Sequence, residues 1–254
     1  MKTLFVKYLT AVLFIGFISC NEKNTDAAAN ASTDNATLTE ANAPVKSVLT
    51  AAEQADLTAD EIIERLKEGN MNFVNNDLTR RDHSEQRRLT AMGQYPKAIV
   101  LSCVDSRVPV EDVFDLGIGD IFVARVAGNI ENKDIVGSME FATAVAGSKV
   151  IVVLGHTACG AVKHAIDNTD AAGLGMDNLQ GLLNEIRPVL ANHTGKEHTS
   201  KDVDFTNTII NENVVKTVND IKASSPTLNK MAEEGKVKIV GATYNMETGK
   251  VDFY

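Results

Sequence analysis

The sequence contains no Trp among its 254 residues, and aromatic residues make up only 5% of the chain. This composition gives no indication of the aromatic platforms that bind sugars. Basic residues are also in deficit, with 25 Lys and Arg against 34 Asp and Glu, so the formal net charge is −9. Because a nucleic-acid-binding protein needs a basic surface, this balance argues against a nucleic-acid partner. The 44% hydrophobic content is sufficient for a globular core.

Long hydrophobic runs are also absent, apart from one segment near the amino terminus. Residues 9–18 are almost entirely apolar and follow Lys2 and Lys7. A run of this length is too short to cross a bilayer comfortably, and a charged start followed by a short apolar stretch is typical of a secretory signal. The sequence therefore predicts an exported protein.

The first of only three cysteines, Cys20, directly follows this apolar segment. The sequence Phe17-Ile18-Ser19-Cys20 resembles a bacterial lipobox, which implies cleavage before Cys20 and lipid attachment to it. An uncleaved anchor and a plain signal peptide with a chance cysteine are the alternatives. We expect a lipoprotein signal peptide at 1–19 and an exported lipoprotein of the cell envelope, facing the periplasm or in the outer membrane.

The rest of the chain divides into a tether and one folded domain. Residues 20–50 are rich in Asn, Ala, Thr and Asp, a composition that buries too little apolar surface to order itself, so we predict a flexible tether. Residues 51–254 contain short β-branched runs that alternate with amphipathic segments. This alternation predicts a single α/β domain with a mainly parallel sheet flanked by helices, closed by a carboxyl-terminal hairpin. The predicted strands are 98–101, 121–124, 150–154, 237–244 and 250–253.

Two of these strands are followed by residues that bind metals. Cys103 comes just after the first strand, and His156 and Cys159 follow the third. Because the carboxyl ends of parallel strands line one crevice, we expect these three side chains to converge. Cys-His-Cys is a ligand set for zinc that leaves a fourth position open for water or substrate. A disulfide between Cys103 and Cys159 is the alternative, but it leaves His156 without a role.

An acidic and a basic residue stand beside the first of these ligands. Asp105 is close enough to the open position to orient a bound hydroxide, or to occupy that position itself as a conditional fourth ligand. Arg107 has the planar fork that can hold the Asp105 carboxylate with two hydrogen bonds and keep it ionised. We therefore predict that Asp105 and Arg107 are catalytic.

The motif Cys-x-Asp-x-Arg, followed about fifty residues later by His-x-x-Cys, resembles the β-class carbonic anhydrases. The segments Gly117–Asp120, Arg125–Asn129 and Gly137–Phe141 are also similar to that family. The resemblance implies one Zn²⁺ per chain and the reversible hydration of carbon dioxide to bicarbonate by zinc-bound hydroxide. It also implies a small apolar substrate pocket near Ala127 and Gly128.

The capping-box sequence Thr58-Ala-Asp-Glu61 predicts the start of an amino-terminal helix that has no obvious neighbour in its own chain. The resemblance further implies a homodimer or a dimer of dimers, in which this helix reaches onto a partner. Some members carry a second bicarbonate site built from Trp, Arg and Tyr. Arg125 matches that arginine, but the chain has no Trp.

His164 is expected to be a solvent-facing helix residue, with proton relay as its alternative role.

Two other functions use the same residues. Hydrolysis of carbonyl sulfide or carbon disulfide needs the same ligands and differs in the access of substrate to the pocket. A zinc-stabilised binding protein without activity would have Asp105 fixed on the metal. A purely structural site has no need of Arg107, so the enzyme hypothesis is preferred.

The predicted lipid attachment is tested by a Cys20→Ala variant. We expect this variant to be released in soluble form, because the only thiol at the predicted cleavage site is gone, whereas the wild-type chain stays in the membrane fraction. Membrane fractionation and intact mass of the mature protein measure this. An unmodified mature amino terminus at another position would exclude lipidation at Cys20.

Overall fold

A five-stranded sheet forms the centre of the domain. The structure is a computed structural model and describes residues 43–193 and 198–254. The strands are β1 (Ala98–Ser102), β2 (Ile121–Arg125), β3 (Val150–His156), β4 (Lys238–Tyr244) and β5 (Val251–Phe253). Their spatial order is β2-β1-β3-β4-β5; the first four are parallel, and β5 is antiparallel to β4. The predicted parallel sheet and closing hairpin are confirmed.

The central strands are buried on both faces, which explains their unbroken apolar sequences. Every residue of β1 and β3 is buried, whereas β2, at the edge of the sheet, is only partly covered. Successive side chains of a strand point to opposite faces. Val100 and Val152 accordingly belong to one core cluster, and Ile99 and Ile151 belong to the cluster on the other face.

Helices cover both faces of the sheet. The α-helices of the described residues are α1 (Ala51–Asp56), α2 (Ala59–Val74), α3 (His83–Thr90), α4 (Val110–Val113), α5 (Lys133–Glu140), α6 (Gly160–Ile166), α7 (Asp177–Ile186), α8 (Val203–Ser224) and α9 (Pro226–Glu233). Helices α2 and α4 contribute to the first cluster, and α5, α8 and α9 to the second. A π-helical turn, Phe141–Val145, continues α5. A short 3₁₀ segment, Arg187–Asn192, continues α7.

Helix α8 lies unusually close to the sheet beside the end of β3. A Cβ atom placed on Gly155 would lie 2.5 Å from Cγ2 of Val214, which is too near for any side chain. Gly155 is therefore needed so that the helix can approach the backbone of this strand. This contact fixes the position of α8 next to His156.

The predicted amino-terminal helix is α2, and its packing differs from the prediction. Its capping box is present, because Thr58 and Glu61 exchange side-chain and backbone hydrogen bonds. The expectation that this helix has no neighbour in its own chain is wrong, since Ile62 and Leu66 of α2 are buried in the domain's own core. The preceding helix, α1, buries none of its residues.

Attachment to the domain begins before the predicted end of the tether at residue 50. The backbone of Val45 pairs with the segment around Arg81, accepting from the amide of Asp82 at 2.9 Å and donating to the carbonyl of Arg80 at 2.8 Å. The predicted signal peptide and Cys20 lie outside the described residues. Among the helices that the structure describes, none has both the length and the apolar composition to cross a membrane.

A buried ion pair connects the chain after α2 to the end of α4. Arg81 Nη1 donates to Oδ1 of Asp115 at 2.6 Å, and Asn72 and Thr79 donate to Oδ2 at 2.8 and 2.7 Å. The side chain of Asp115 is only 3% exposed. Burial by itself would raise the pKa of this carboxyl, but the hydrogen bonds from Arg81, Asn72 and Thr79 outweigh that effect and hold the pKa below its ordinary value.

We predict that Asp115→Ala lowers the free energy of unfolding by about 3 kcal/mol at neutral pH, because it leaves Arg81 buried without its partner. Since the folded pKa is lowered, the contribution of Asp115 is complete above the unfolded pKa of about 3.9 and is lost as pH falls through the folded value. Denaturant unfolding at a series of pH values measures both effects.

The matched control is Glu64→Gln, which breaks an exposed ion pair with Lys67. We expect it to change the free energy of unfolding by less than about 0.5 kcal/mol. Equal effects of the two substitutions would show that the Asp115 pair is not a structural requirement.

Candidate metal centre and active site

The three predicted metal ligands meet at the carboxyl edge of the sheet. Cys103 follows β1, His156 is the last residue of β3, and Cys159 immediately precedes α6. Strands β1 and β3 are parallel neighbours in which Ser102 lies opposite Leu154. The register therefore places the segments that follow the two strands side by side.

The donor atoms form a compact cluster. Sulfur and nitrogen atoms of Cys103, His156 and Cys159 all lie within 4.8 Å of one another, and all three residues are buried. Nδ1 of His156 lies 2.9 Å from the carbonyl of Thr157, which fixes the ring. Its Nε2 is buried and has no hydrogen-bond partner among the described residues. Buried polar atoms are almost always satisfied, and a metal ion bound by this nitrogen would account for its lack of a hydrogen-bond partner.

The two thiols cannot both ionise easily without a cation. Both cysteines are free, so the structure does not support the disulfide alternative. A hydrogen bond from Cys159, with smaller contributions from His156 and the amide of Gly128, holds the pKa of Cys103 well below its ordinary value. The same hydrogen bond, burial and the neighbouring negative charge raise the pKa of Cys159 far above its ordinary value. A divalent ion removes this conflict, because a coordinated thiol is deprotonated outright.

Asp105 and Arg107 form the predicted pair beside this cluster. Nε and Nη2 of Arg107 donate to Oδ1 and Oδ2 of Asp105 at 2.9 and 2.7 Å, and the Arg107 amide adds a third hydrogen bond at 3.0 Å. Chiefly because of the side-chain bonds from Arg107, the pKa of Asp105 lies well below its usual range. Oδ2 of Asp105 is 3.9 Å from Nε2 of His156. An ionised carboxylate therefore stands next to the unpartnered metal-ligand nitrogen.

A further arginine holds the loop that carries these residues. Arg125, at the end of β2, donates from Nε to the carbonyl of Cys103 at 2.9 Å and from Nη2 to the carbonyl of Asp105 at 2.6 Å. The local sequence gives no sign of this contact, because the residues that Arg125 binds are about twenty positions away and are bound through their backbone.

The predicted pocket residues lie against the cluster. Gly128 donates its amide to the sulfur of Cys103 at 3.4 Å, a contact that the sequence did not reveal. Its φ of +72° is in the left-handed region, and an added Cβ would lie 2.7 Å from Cδ1 of Ile186. Glycine is therefore required there. Ala127 is half-buried beside it. A substrate pocket at these two residues stays a prediction.

The loop between His156 and Cys159 is secured by the carboxyl-terminal part of the sheet. The amide of Thr157 donates to the carbonyl of Tyr244 at 3.0 Å. The amide of Met246 donates to Oγ1 of Thr157 at 3.0 Å. The last strands of the chain therefore help to position two of the three metal ligands.

The other histidines lie apart from the donor cluster. His164 is exposed on α6, where its Nδ1 lies 3.0 Å from Oγ1 of Thr169, in agreement with the predicted solvent-facing position. His193 and His198 are both half-buried and pack against the ring of Phe205.

Comparison with known proteins identifies the family. Residues 98–251 match the family model described as carbonic anhydrase. This is more than half of the chain and includes every residue of the donor cluster. The chain belongs to the carbonic anhydrase family.

Individual carbonic anhydrases support this assignment over most of the domain. Carbonic anhydrase 2 of Mycobacterium tuberculosis is 35% identical over 190 residues, which are 73% of this chain and 87% of that protein. The carbonic anhydrase of Mycolicibacterium smegmatis is 33% identical over 189 residues, 74% of this chain and 89% of that protein. The β-carbonic anhydrase CcaA has a solved structure that superposes with a TM-score of 0.58 at 28% identity, covering 76% of this chain and 95% of that chain. The fold is therefore that of the β-class, whose metal is zinc, and the donor set described above fits this ion.

We predict that Cys159→Ala loses nearly all bound zinc, because the site then keeps only two protein ligands, and that the domain is destabilised, since metal binding is coupled to folding. His164→Ala is the matched control, as it removes a nearby histidine that lies outside the cluster. We expect it to keep one zinc per chain. Metal analysis of the purified proteins measures the ratio, and full zinc occupancy in Cys159→Ala would contradict the assignment.

Proposed function

We propose that this chain hydrates carbon dioxide to bicarbonate and a proton, reversibly, at the cluster formed by Cys103, His156 and Cys159. As a member of the carbonic anhydrase family it is a lyase that acts on carbon dioxide and bicarbonate and uses zinc. The observation that carries the detailed proposal is the ionised Asp105 carboxylate, held by Arg107 and directed at the unpartnered side of the cluster.

Each residue has a definable task in this reaction. When bound, zinc supplies the nucleophile by lowering the pKa of water. The two cysteines and His156 would hold the ion, and the bond from His156 Nδ1 to the carbonyl of Thr157 keeps Nε2 aimed at it. Asp105 accepts a hydrogen bond from the reacting water and so orients an oxygen lone pair toward the carbon of the substrate. Arg107 keeps that carboxylate ionised and correctly turned.

The pairing with Arg107 also determines whether Asp105 blocks the site. Three hydrogen bonds hold the carboxylate on Arg107 in this structure, which is the arrangement expected of an open site. If the carboxylate left Arg107, Oδ2 would be near enough to compete for the fourth position as a conditional ligand. Arg107 therefore favours the open form.

Hydrolysis of carbon disulfide is the competing activity. A carbon disulfide hydrolase of Saccharolobus solfataricus is 32% identical, but only over 95 residues, or 37% of this chain. The carbonic anhydrase relatives match about twice as much of the chain, which favours carbon dioxide as the substrate. A zinc-binding protein without activity is disfavoured because it would have no use for the bidentate pair of Asp105 and Arg107.

We also propose that the enzyme is an exported lipoprotein of the bacterial cell envelope, attached to the membrane through lipid on Cys20. The charged start, the short apolar run and the lipobox-like sequence before Cys20 support this location. Carbon dioxide crosses membranes but bicarbonate does not, so an enzyme held at the envelope would interconvert the two species where they enter or leave the cell.

A second copy of the chain is the partner we propose for the edge of the sheet at β2. This strand has a neighbour on one side only within the described residues. Beside it, Phe141 is 54% exposed and Val145 is 73% exposed. Phe141 packs edge-on against Phe122 of the strand, with 6.0 Å between ring centroids. An uncovered strand edge next to apolar side chains is a site of association.

We expect the soluble domain to sediment as a dimer or larger and Val145→Glu to shift it toward monomer, because a charge would be buried in the contact. Sedimentation velocity measures this. Lys222→Glu is the control, because it reverses a charge on α8, which packs chiefly over β3 and β4. A wild-type monomer with full activity would contradict the proposal.

Asp105→Asn tests the catalytic proposal directly. We expect it to keep one zinc per chain but to lower the rate of carbon dioxide hydration by about 100-fold or more, because the amide cannot be held by Arg107 as a charge while it orients water. Arg107→Ala should also lower the rate, since the Asp105 carboxylate then loses the two side-chain hydrogen bonds that orient it. Stopped-flow hydration with a pH indicator, together with metal analysis, measures both quantities.

Asp167→Asn is the matched control for that experiment. Asp167 is an exposed carboxylate bonded to Ser200, outside the cluster. Its replacement should leave the rate unchanged. A near-wild-type rate for Asp105→Asn would exclude the proposed role, and carbon disulfide turnover without carbon dioxide hydration in the wild type would favour the competing activity.

A further inference from the structure

The backbone of Gly128 is held at both of its polar groups. Its amide donates to the sulfur of Cys103 at 3.4 Å, and its carbonyl accepts a hydrogen bond at 2.8 Å from Nδ2 of Asn213. Asn213 belongs to α8 and is 85 residues away along the chain. Hydrogen bonds to a metal-binding sulfur govern how much charge it gives to the metal and where it lies. Asn213 is thus connected to a zinc ligand through one residue.

Asn213 is well placed to fix the direction of that amide. It is only 1% exposed. The next residue of α8, Val214, packs against Gly155, which precedes His156. A movement of the helix at Asn213 would therefore disturb the packing of the strand that carries His156. This rigidity is transmitted to the carbonyl of Gly128 by a single hydrogen bond.

The side chain of Asn213 makes no other hydrogen bond among the described residues. Among the described residues, its Oδ1 is buried and has no hydrogen-bond partner. An amide buried with an unsatisfied oxygen destabilises a core, so packing alone does not explain an asparagine here. The bond to Gly128 also determines which way the amide is turned, because the opposite orientation would place two oxygen atoms against each other.

We propose that Asn213 is a positioning residue of the metal centre, which holds the Gly128 amide on the Cys103 sulfur and thereby sets the zinc affinity and the donor strength of that ligand. The inference rests on the metal site of the proposed function but not on its reaction. It is therefore tested by metal binding and spectroscopy, which need no carbon dioxide.

The test compares Asn213→Leu with wild type in the full domain. We expect zinc, measured by competition with a chromophoric chelator, to bind about 10- to 100-fold more weakly, the range found when an outer partner of a metal ligand is lost. In the cobalt-substituted protein, the sulfur-to-metal charge-transfer band should move to longer wavelength, because a sulfur without its hydrogen bond gives up an electron more easily.

Thr217→Val is the matched control. Thr217 lies one helical turn further along α8, is equally buried, and also has an unpartnered oxygen among the described residues, but the hydrogen bond to Gly128 does not involve it. We expect less than about a twofold change in zinc affinity and an unmoved band. A general loosening of the helix would affect both variants alike, whereas the proposal requires Asn213→Leu alone to change.

An unchanged affinity and an unchanged band in folded Asn213→Leu would overturn the proposal, as would equal shifts in Thr217→Val. If leucine prevents folding, Asn213→Ala is measured in the same way, since it removes the donor without adding bulk. Wild-type values for that variant would overturn the proposal, and a weakened affinity with a shifted band would support it.

Discussion

Two buried thiols and one unpartnered imidazole nitrogen share a small volume, and both thiols can ionise there only if a cation joins them. Hydrogen bonding makes ionisation easy at Cys103 and correspondingly difficult at Cys159. The donor cluster is therefore a source of strain in the protein alone and a source of stability when metal is bound. The surrounding loops, the Arg125 bonds and the Gly128 amide all serve to keep three donors together despite this conflict.

The parts of the fold that the sequence predicted well are those set by neighbouring residues. Strands β1 and β3 have unbroken β-branched sequences because both of their faces are buried, and their ends were predicted to within two residues. The capping box at Thr58 was also recognisable, since it depends on a residue only three positions away. The metal ligands were predictable for a related reason, as each follows a recognisable strand.

The parts that were missed depend on contacts between distant residues. Arg125 and Gly128 act on the backbone or sulfur of Cys103 from more than twenty positions away, and Asn213 acts from another helix altogether. Nothing in the local sequence of α8 marks one buried amide as different from another. The packing of α2 on its own chain was missed because its apolar spacing fits a partner surface as well as it fits this sheet.

The position of the carboxyl-terminal strands has a consequence for when the site is complete. Thr157, between two metal ligands, is bonded to Tyr244 and Met246, and β3 is paired along its whole length with β4. A ribosome releases these residues long after the three ligands. During synthesis the chain can therefore carry all three ligands and still lack the strand that holds their loop, so the zinc site is fully formed only once β4 has also emerged and paired with β3.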